Sequence, residues 1–318
     1  MKRFVLTRLA ALVPISLIVS FFTFLLTHLL PGNPVDVICG TGCTAAGHAQ
    51  LAHQMGLDRP ILTQYWLYLD HVAHGNLGKS YLDGETVAHA LGQQVPATLE
   101  LVLASQILAV LVALPLAIFS ALRPGARFDR VSAQVSYGFF SLPAMVLGVF
   151  LVEVFAIKIH GFPATGYTAL TANPIQNLHD MVLPVITFGV GSVAIYYRIL
   201  RSDLVATFQE DYITMARAKG LPTRYIVLRH GLRPSLLNFV TLAAQSIGFQ
   251  LSGAFIIEFL FQIPGLAYGM INAIGSSDYL RVQGTVLVIT ISFVVLNLAA
   301  DVLNAFLDPR IRRQGAAA

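Results

Sequence analysis

The chain has 318 residues, of which 56% are hydrophobic and only 11% are charged. Soluble domains carry about 25% charged residues, so this composition excludes a soluble protein and predicts an integral membrane protein. The formal charge of +4 does not indicate nucleic-acid binding, because the basic residues lie in short loops rather than on one domain face.

The first part of the chain combines one apolar span with a polar element. A basic segment, residues 1–8, precedes a predicted first span over residues 9–30. This apolar run is long enough to cross a bilayer, and no Ala-x-Ala cleavage pattern follows it, which favours an uncleaved span over a signal peptide. Residues 31–96 are polar but contain helical apolar patterns, so we expect a small folded element outside the membrane.

The rest of the chain is predicted to hold five more spans within a core over residues 97–307. These spans are residues 97–121, 131–157, 181–197, 235–261 and 282–307. A tail over residues 308–318 follows. The predicted fold class is therefore an all-α polytopic membrane protein with six transmembrane helices.

The basic residues predict the orientation of these spans. With six spans, nearly all Lys and Arg fall on the side that holds both termini and the loops 122–130 and 198–234. Cytoplasmic loops carry an excess of Lys and Arg, so both termini and these loops are predicted to be cytoplasmic. Residues 31–96 are then extracytoplasmic.

The cytoplasmic loop 198–234 is too long and too patterned to be a simple turn. Acidic residues open a helical pattern over residues 209–219, and Lys219 closes it, which suits the helix dipole. Gly220 can take the left-handed conformation that ends a helix, and Pro222 blocks continuation. The sequence therefore predicts a short helix between two spans.

Two interpretations of this helix remain open from spacing alone. Tyr212, Met215, Ala216 and Lys219 share one face, and the small residues Ala216 and Gly220 would let another surface approach the backbone. The helix is either an amphipathic segment that rests on the membrane or a docking helix for another protein.

A second candidate site is a polar stripe on the fifth span. Its residues follow one helical face: Asn238, Thr241, Gln245, Gly248 and Ser252. Polar side chains inside a span usually face protein or a water-filled cavity. The stripe is therefore either the lining of a translocation path or a packing surface, since small residues and amides also join helices in membranes.

Four acidic residues lie in or near the apolar runs, and Glu153 is the furthest inside its run. Glu100, Glu258 and Asp301 lie nearer the ends of their spans. Ionisable residues at membrane depth are functional candidates, so Glu153 is added to the translocation-path candidates. Such acids would also suit a proton-coupled carrier.

The extracytoplasmic side holds both cysteines and most of the histidines. Cys39 and Cys43 are close enough in sequence for a small disulfide in an oxidising exterior, but so short a loop makes strict geometric demands, and two free thiols are the alternative. His71 and His74 are spaced i, i+3, but no third ligand follows at regular spacing, so no metal site is predicted.

Several separate stretches, in this order, carry a resemblance to a known family. They are LLPGNPVD, MGLDRPILTQYWLYLDHVAHGNLGKSY, VPATLEL, EDYITMARAKGL with LRHGLRPSLL, IPGLAYGMINAIGSSDYLRVQG and LDPRIR. Along nearly its whole length the chain resembles the dipeptide and oligopeptide B-type permeases, a branch of the ABC importer membrane subunits.

This resemblance implies a type I ABC importer permease fold in the cytoplasmic membrane and import of peptides by alternating access. It also implies a second homologous permease, two ATP-binding subunits and an extracytoplasmic binding protein that docks near residues 31–96. The chain itself would be non-catalytic and bind no cofactor, because ATP and Mg belong to the partner subunits. The alternatives are an importer of the same class for nickel or an oligosaccharide, and a stand-alone proton-coupled carrier.

In that family the short cytoplasmic helix is a coupling helix that fits a groove of an ATPase subunit. The resemblance maps it onto Asp211, Tyr212, Met215, Ala216, Arg217, Ala218, Lys219 and Gly220. Thr214 and Met215 depart from the general importer motif, and Arg233 separates Leu232 from Pro234. These departures leave the individual contacting residues open.

Overall fold

The computed structural model describes residues 2–29, 35, 39, 44–54, 56–80 and 82–307. Helices dominate these ranges, and the β pairing found there is an isolated bridge between Lys79 and Thr86. The mainly helical class predicted from composition is confirmed.

The helices are numbered here in chain order. They are α1 (Lys2–Leu29), α2 (Ala45–Gln54), α3 (Ile61–Ala73), α4 (Val87–Leu122), α5 (Arg127–Ser141), α6 (Ala144–Leu151), α7 (Pro174–Phe208), α8 (Asp211–Ala218), α9 (Leu232–Phe261), α10 (Leu266–Gly275) and α11 (Tyr279–Leu307). A π-helical segment, Val152–Lys158, continues α6, and the turn Thr223–Tyr225 with the π-helical segment Ile226–Gly231 leads into α9.

The chain divides into two compact units. The larger unit contains residues 99–263 and the part of α11 from residue 293 onward. The smaller unit contains the described residues between 7 and 98, together with residues 264–292. The two candidate sites of the sequence analysis, α8 and the polar stripe of α9, both belong to the larger unit.

Four helices in the described ranges are long and apolar enough to cross a membrane. Their qualifying segments are Val87–Leu122, Pro174–Phe208, Asn238–Phe261 and Tyr279–Ala300. A bent helix pair raises the number to five, and the apolar part of α1 that qualifies as a shorter helix is Val13–His28. The predicted total of six spans therefore stays a prediction.

The predicted third span, residues 131–157, is wrong as a single straight helix. The structure replaces it by α5 and α6, which are bent by 101° at a short break. The break falls at Leu142 and Pro143, where both residues take extended backbone conformations. Proline disfavours a helical conformation in the residue before it, so the signal was present in the sequence.

Two other spans are longer than predicted because hydropathy marks the apolar part of a helix rather than its ends. Helix α4 begins at Val87, well before residue 97. Helix α7 begins at Pro174, where Asn173 accepts a hydrogen bond from the backbone N–H of Gln176 at 3.2 Å. Asparagine before a helix and proline in its first turn are favoured start signals.

The core of the larger unit is built where α4 meets α7. An alanine appears at every fourth residue of α4, and all of these alanines are buried: Ala109, Ala113, Ala117 and Ala121. They pack in one cluster with Tyr196, Tyr197, Leu200 and Leu204 of α7. Small residues let two helix backbones approach closely, so this stripe holds α7, and with it the start of the loop 198–234, against α4.

Candidate functional site

The predicted cytoplasmic helix exists and is α8, Asp211–Ala218, slightly shorter than the predicted range 209–219. Lys219 is the C-cap residue, and Gly220 follows with φ of 77°. A side chain is strained at positive φ, and glycine is not. The predicted end of the helix at Gly220 is therefore confirmed.

One narrow face of α8 is buried against its own chain. Ile213 and Ala216 pack with Ile226 of the following π-helical segment and with Leu221. The exposed fraction of Ala216 is only 6%. Its small side chain therefore lets α8 lie close to the π-helical segment of its own chain. The close approach of another protein surface at Ala216 stays a prediction.

The rest of α8 is exposed, and its exposed surface includes large apolar side chains. Tyr212 is 43% exposed and Met215 is 58% exposed. The other exposed positions of the predicted coupling helix are Asp211, Arg217, Ala218, Lys219 and Gly220. The exposed face therefore combines two large apolar side chains with basic groups at the C-terminal end.

Helix α8 is held near its N-terminal end by one hydrogen bond, and the segment that follows it packs against α7. The Tyr212 hydroxyl donates to the backbone carbonyl of His230 at 3.3 Å, and partial burial, with Glu210 nearby, raises the pKa of Tyr212 above its ordinary value. At Gly231 a Cβ atom would lie 2.4 Å from the Phe208 ring. These contacts thus link α7, α8 and the start of α9 through the intervening loop.

The polar stripe of α9 is not one open face. Asn238 donates to the Asp203 carboxylate at 3.3 Å, and Gly248 is buried against Phe293 of α11. Asn238, Gln245 and Ser252 are exposed, and Thr241 is half-buried. The stripe is therefore interrupted at Gly248, and its exposed polar side chains lie on both sides of that break.

The open face of α9 also carries large apolar side chains. Phe249 is exposed between Gln245 and Ser252, and Ile256 follows one turn later. These four residues are spaced i, i+4, i+7 and i+11, which is one helical face. A face that alternates amide, aromatic, hydroxyl and aliphatic groups can both pack against a second helix and leave polar groups for a water-filled path.

A buried polar network on the opposite side of α9 was missed by the sequence analysis. Tyr196 of α7 donates to Gln106 of α4 at 2.6 Å, and Gln106 donates to Ser246 of α9 at 2.7 Å. Ser246 also bonds directly to the Tyr196 hydroxyl. The signal was a lone amide in the apolar run of α4, which needs a partner when it is buried.

Glu153 does not lie deep in a polar cavity. It is in the π-helical segment after α6, and its carboxylate is 3.4 Å from the Lys158 ammonium. Its side chain is about half exposed in the chain. An ion pair near the end of a helix is a structural arrangement, and nothing in this geometry brings Glu153 to the stripe residues.

A second missed feature is a buried ion pair beside the loop 122–126, which is predicted to be cytoplasmic. Arg201 of α7 contacts both carboxylate oxygens of Asp129, from Nε at 2.5 Å and from Nη2 at 2.7 Å. The backbone N–H of Gly125 donates to the same carboxylate at 2.7 Å. A bidentate arginine gives fixed geometry as well as energy, so this pair holds α5 to α7.

The remaining candidates are cysteines and histidines on the side predicted to be extracytoplasmic. Cys43 lies outside the described residues, so the disulfide with Cys39 stays a prediction. Within the described ranges, no group of three or more His, Cys, Asp or Glu side chains could hold a metal ion. His74 instead bonds to the Asp70 carbonyl at 2.8 Å in its own helix.

Comparison with known families accounts for most of the chain. Residues 113–313 match the family described as binding-protein-dependent transport system inner membrane component. Residues 1–102 match the N-terminal family of the same membrane components.

Individual relatives cover the chain almost end to end. A glutathione transport system permease protein, GsiC, of Salmonella choleraesuis (strain SC-B67) is 34% identical over 98% of this chain and 99% of its own length. The protein of the same description from Escherichia coli (strain K12) is 32% identical with the same coverage.

Solved structures support the fold. A chain of the inward-facing MetNI methionine ABC transporter aligns with a TM-score of 0.54 at 19% identity, over 70% of this chain and 97% of that chain. At this identity the likeness speaks for the fold alone, which is that of an ABC importer permease.

Proposed function

The chain belongs to the family of binding-protein-dependent transport system inner membrane components, and from that premise we propose that it is the permease subunit of an ATP-driven importer for peptides. In this family the permease is non-catalytic and has no cofactor of its own, and separate subunits hydrolyse ATP. The observation that carries the cargo class is the similarity over 98% of the chain to glutathione transport permeases, because glutathione is itself a peptide.

The exposed face of α8 supports coupling to an ATPase subunit. Tyr212 and Met215 are large exposed apolar side chains on a helix that the predicted orientation puts in the cytoplasm. A short helix seated in a groove by such anchors is a common recognition mode. Because Ile213 and Ala216 fasten α8 to the segment that opens α9, a push on α8 would be passed directly to a membrane helix.

The open face of α9 supports a path shared with a second permease. Gln245 and Ser252 lie on it beside Phe249. In a pair of permeases such a face would meet its counterpart, with the apolar groups packed and the polar groups along the path. Alternating access would then follow from rigid movement of the helices linked to α8, and an extracytoplasmic binding protein would deliver the cargo near residues 31–96.

Affinity purification of the chain from its native membranes tests the class of transporter. We expect a second permease and ATP-binding subunits to co-purify, and ATP hydrolysis in the complex to drive uptake of dialanine or glutathione into vesicles when the binding protein is added. A chain that purifies alone and accumulates peptide with a proton gradient and no ATP would contradict the proposal and support the carrier alternative. Uptake of nickel or an oligosaccharide in place of peptide would correct the cargo only.

Single cysteines on α9 test the path. In a chain whose Cys39 and Cys43 are replaced by serine, Gln245→Cys and Ser252→Cys should react with a water-soluble thiol reagent during turnover, because both positions lie on the open face. Gln250→Cys is the matched control, since Gln250 is buried on the same helix and bonds to Ser192 at 2.8 Å. Protection of all three positions in every state would assign the stripe to packing.

A further inference from the structure

A polar cavity in the smaller unit has no role in the function proposed so far. Its volume is about 220 Å³, and it lies between the start of α4, α10 and the first turn of α11. Side chains with polar groups make up most of its lining: Gln94, Tyr268, Asn272, Ser276 and Arg281. Pockets that enclose drug-sized ligands measure about 300–1,000 Å³, so this cavity suits one end of a small molecule rather than a whole peptide.

One oxygen atom that lines this cavity has no partner within the described part of the chain. The side-chain oxygen of Gln94, Oε1, is buried and accepts no hydrogen bond there. The Gln94 amide is held over the backbone of α10, because a Cβ atom at Gly269 would lie 2.4 to 2.6 Å from it. A buried acceptor without a donor costs about 1–3 kcal/mol, so the cavity has a place for a group that donates a hydrogen bond.

The charged side chain in the cavity lining is Arg281, and three acids that lie outside the lining surround it. Arg281 binds Asp83 at 2.7 Å and Glu85 at 2.6 Å through Nη2, and its Nε lies 3.5 Å from Asp278. Asp278 is fully buried, and its Oδ2 also accepts no hydrogen bond within the described residues. Three carboxylates therefore surround one guanidinium, and the surplus charge is negative.

Of these three carboxylates, Asp83 is held in its ionised form at neutral pH. The backbone N–H of Glu85, and after it the charge of Arg281, hold the pKa of Asp83 below its ordinary value. Nη2 of Arg281 is engaged by acids of its own chain, and its buried Nε, 3.5 Å from Asp278, makes no hydrogen bond within the described residues. The acids nevertheless outnumber this single guanidinium before any ligand enters. The group that matches both the orphan oxygen and the charge is a primary ammonium.

We propose that this cavity receives the free α-ammonium group of the cargo peptide, with Gln94 Oε1 as an acceptor and Asn272 and Ser276 beside it. This inference rests on the proposed peptide cargo. The permease itself would then select peptides with an unmodified N-terminus, in addition to the selection made by the binding protein. Charge-assisted hydrogen bonds are about twice as strong as neutral ones, so the site should distinguish an amine from an amide.

Ligand-observed saturation-transfer NMR on the full chain in lipid nanodiscs tests the site without requiring transport. The probes are dialanine and N-acetyl-dialanine, which differ by the ammonium group. We expect a signal for dialanine that falls about tenfold in Gln94→Leu, as loss of one hydrogen bond to a charged group predicts, and no signal for N-acetyl-dialanine. Gly269→Ala keeps Gln94 but displaces its amide, and should also reduce the dialanine signal.

The matched control is Gln93→Leu. Gln93 is the neighbouring glutamine, is exposed and bonds to His89 at 3.0 Å outside the cavity lining. It should bind dialanine like the unaltered chain. Equal signals from the two probes, or equal dialanine signals from the Gln93 and Gln94 variants, would overturn the proposal. The cavity would then be a site for water only.

Uptake by the assembled complex separates this inference from the proposed function. If the unaltered complex imports dialanine and Gln94→Leu imports it equally well at low concentration, the importer assignment stands and the ammonium site is wrong. If dialanine binds in the Gln94-dependent manner but no peptide is transported, the site stands and the peptide-importer assignment fails.

Discussion

Gly220→Asp should remove the ATPase subunits from the complex and abolish ATP-driven uptake. Gly220 ends α8 with φ of 77°, and a Cβ atom there would meet nothing within 4 Å of its own chain. The substitution therefore leaves the internal packing of the permease intact. It places a negative charge at the C-terminal end of a helix, where the dipole is unfavourable, and in the surface proposed to enter the ATPase groove. An unpaired charge buried at an interface costs about 2 kcal/mol or more, which lowers affinity more than tenfold.

Gly75→Asp is the matched control for this experiment. Gly75 follows the C-cap residue of α3 as Gly220 follows that of α8, with φ of 76° and also nothing within 4 Å. The backbone strain of the two variants is therefore the same, and only the surface differs. Recovery of ATPase subunits with the tagged permease is the measurement, and Gly75→Asp should retain them. Full retention by Gly220→Asp, with normal uptake, would refute the docking role of α8.

Arg201→Ala should destabilise the larger unit by about 3 kcal/mol, because removing one partner of a buried ion pair leaves the other charge uncompensated. Asp129 is only 4% exposed, while Arg201 is 30% exposed, so loss of the arginine is the more damaging change. In a chain of this size, that cost should lower the thermal unfolding temperature by at least about 5 °C. Unfolding in detergent, followed by circular dichroism, gives the measurement.

Two further variants show whether charge is the cause. Arg198→Ala removes an exposed arginine of the same helix, whose described contact is with the Phe140 ring at 5.5 Å, and should change the unfolding temperature by less than about 1 °C. Asp129→Asn combined with Arg201→Ala should recover part of the loss, since it removes the unpaired charge. If the double variant is as unstable as the sum of its parts, the effect comes from packing instead.

The sequence predicted the elements that depend on a strong local signal. Gly220 ended its helix as expected, because few residues other than glycine accept that backbone conformation. The fifth predicted span, residues 235–261, ends at Phe261 as α9 does. The family resemblance also agrees with the similarity found along 98% of the chain.

The sequence did not predict which face of a helix packs against the rest of its own chain. Ala216 and Met215 are neighbours with similar propensities, yet one is buried and the other is exposed. The π-helical segment Ile226–Gly231 sets that orientation, and no local pattern announces it. The hydrogen bond between Gln106 and Ser246 joins residues far apart in the chain. It depends on how the helices pack together, which the periodicity of the sequence does not reveal.

The break between α5 and α6 has a consequence for the lipid around the protein. After the 101° bend, the direction of α6 is continued only by residues 144–158, of which 152–158 are π-helical. Even at the rise of an α-helix these residues would span no more than about 22 Å. The hydrocarbon core of a bilayer is about 30 Å thick. A helix that is too short draws the surrounding lipid thinner at a cost that grows with each ångström of mismatch. Neighbouring protein removes that cost, because it replaces the lipid contacts of the short segment. We therefore expect bilayer thickness to act on this chain as an assembly force that favours the proposed pair of permeases over the single subunit.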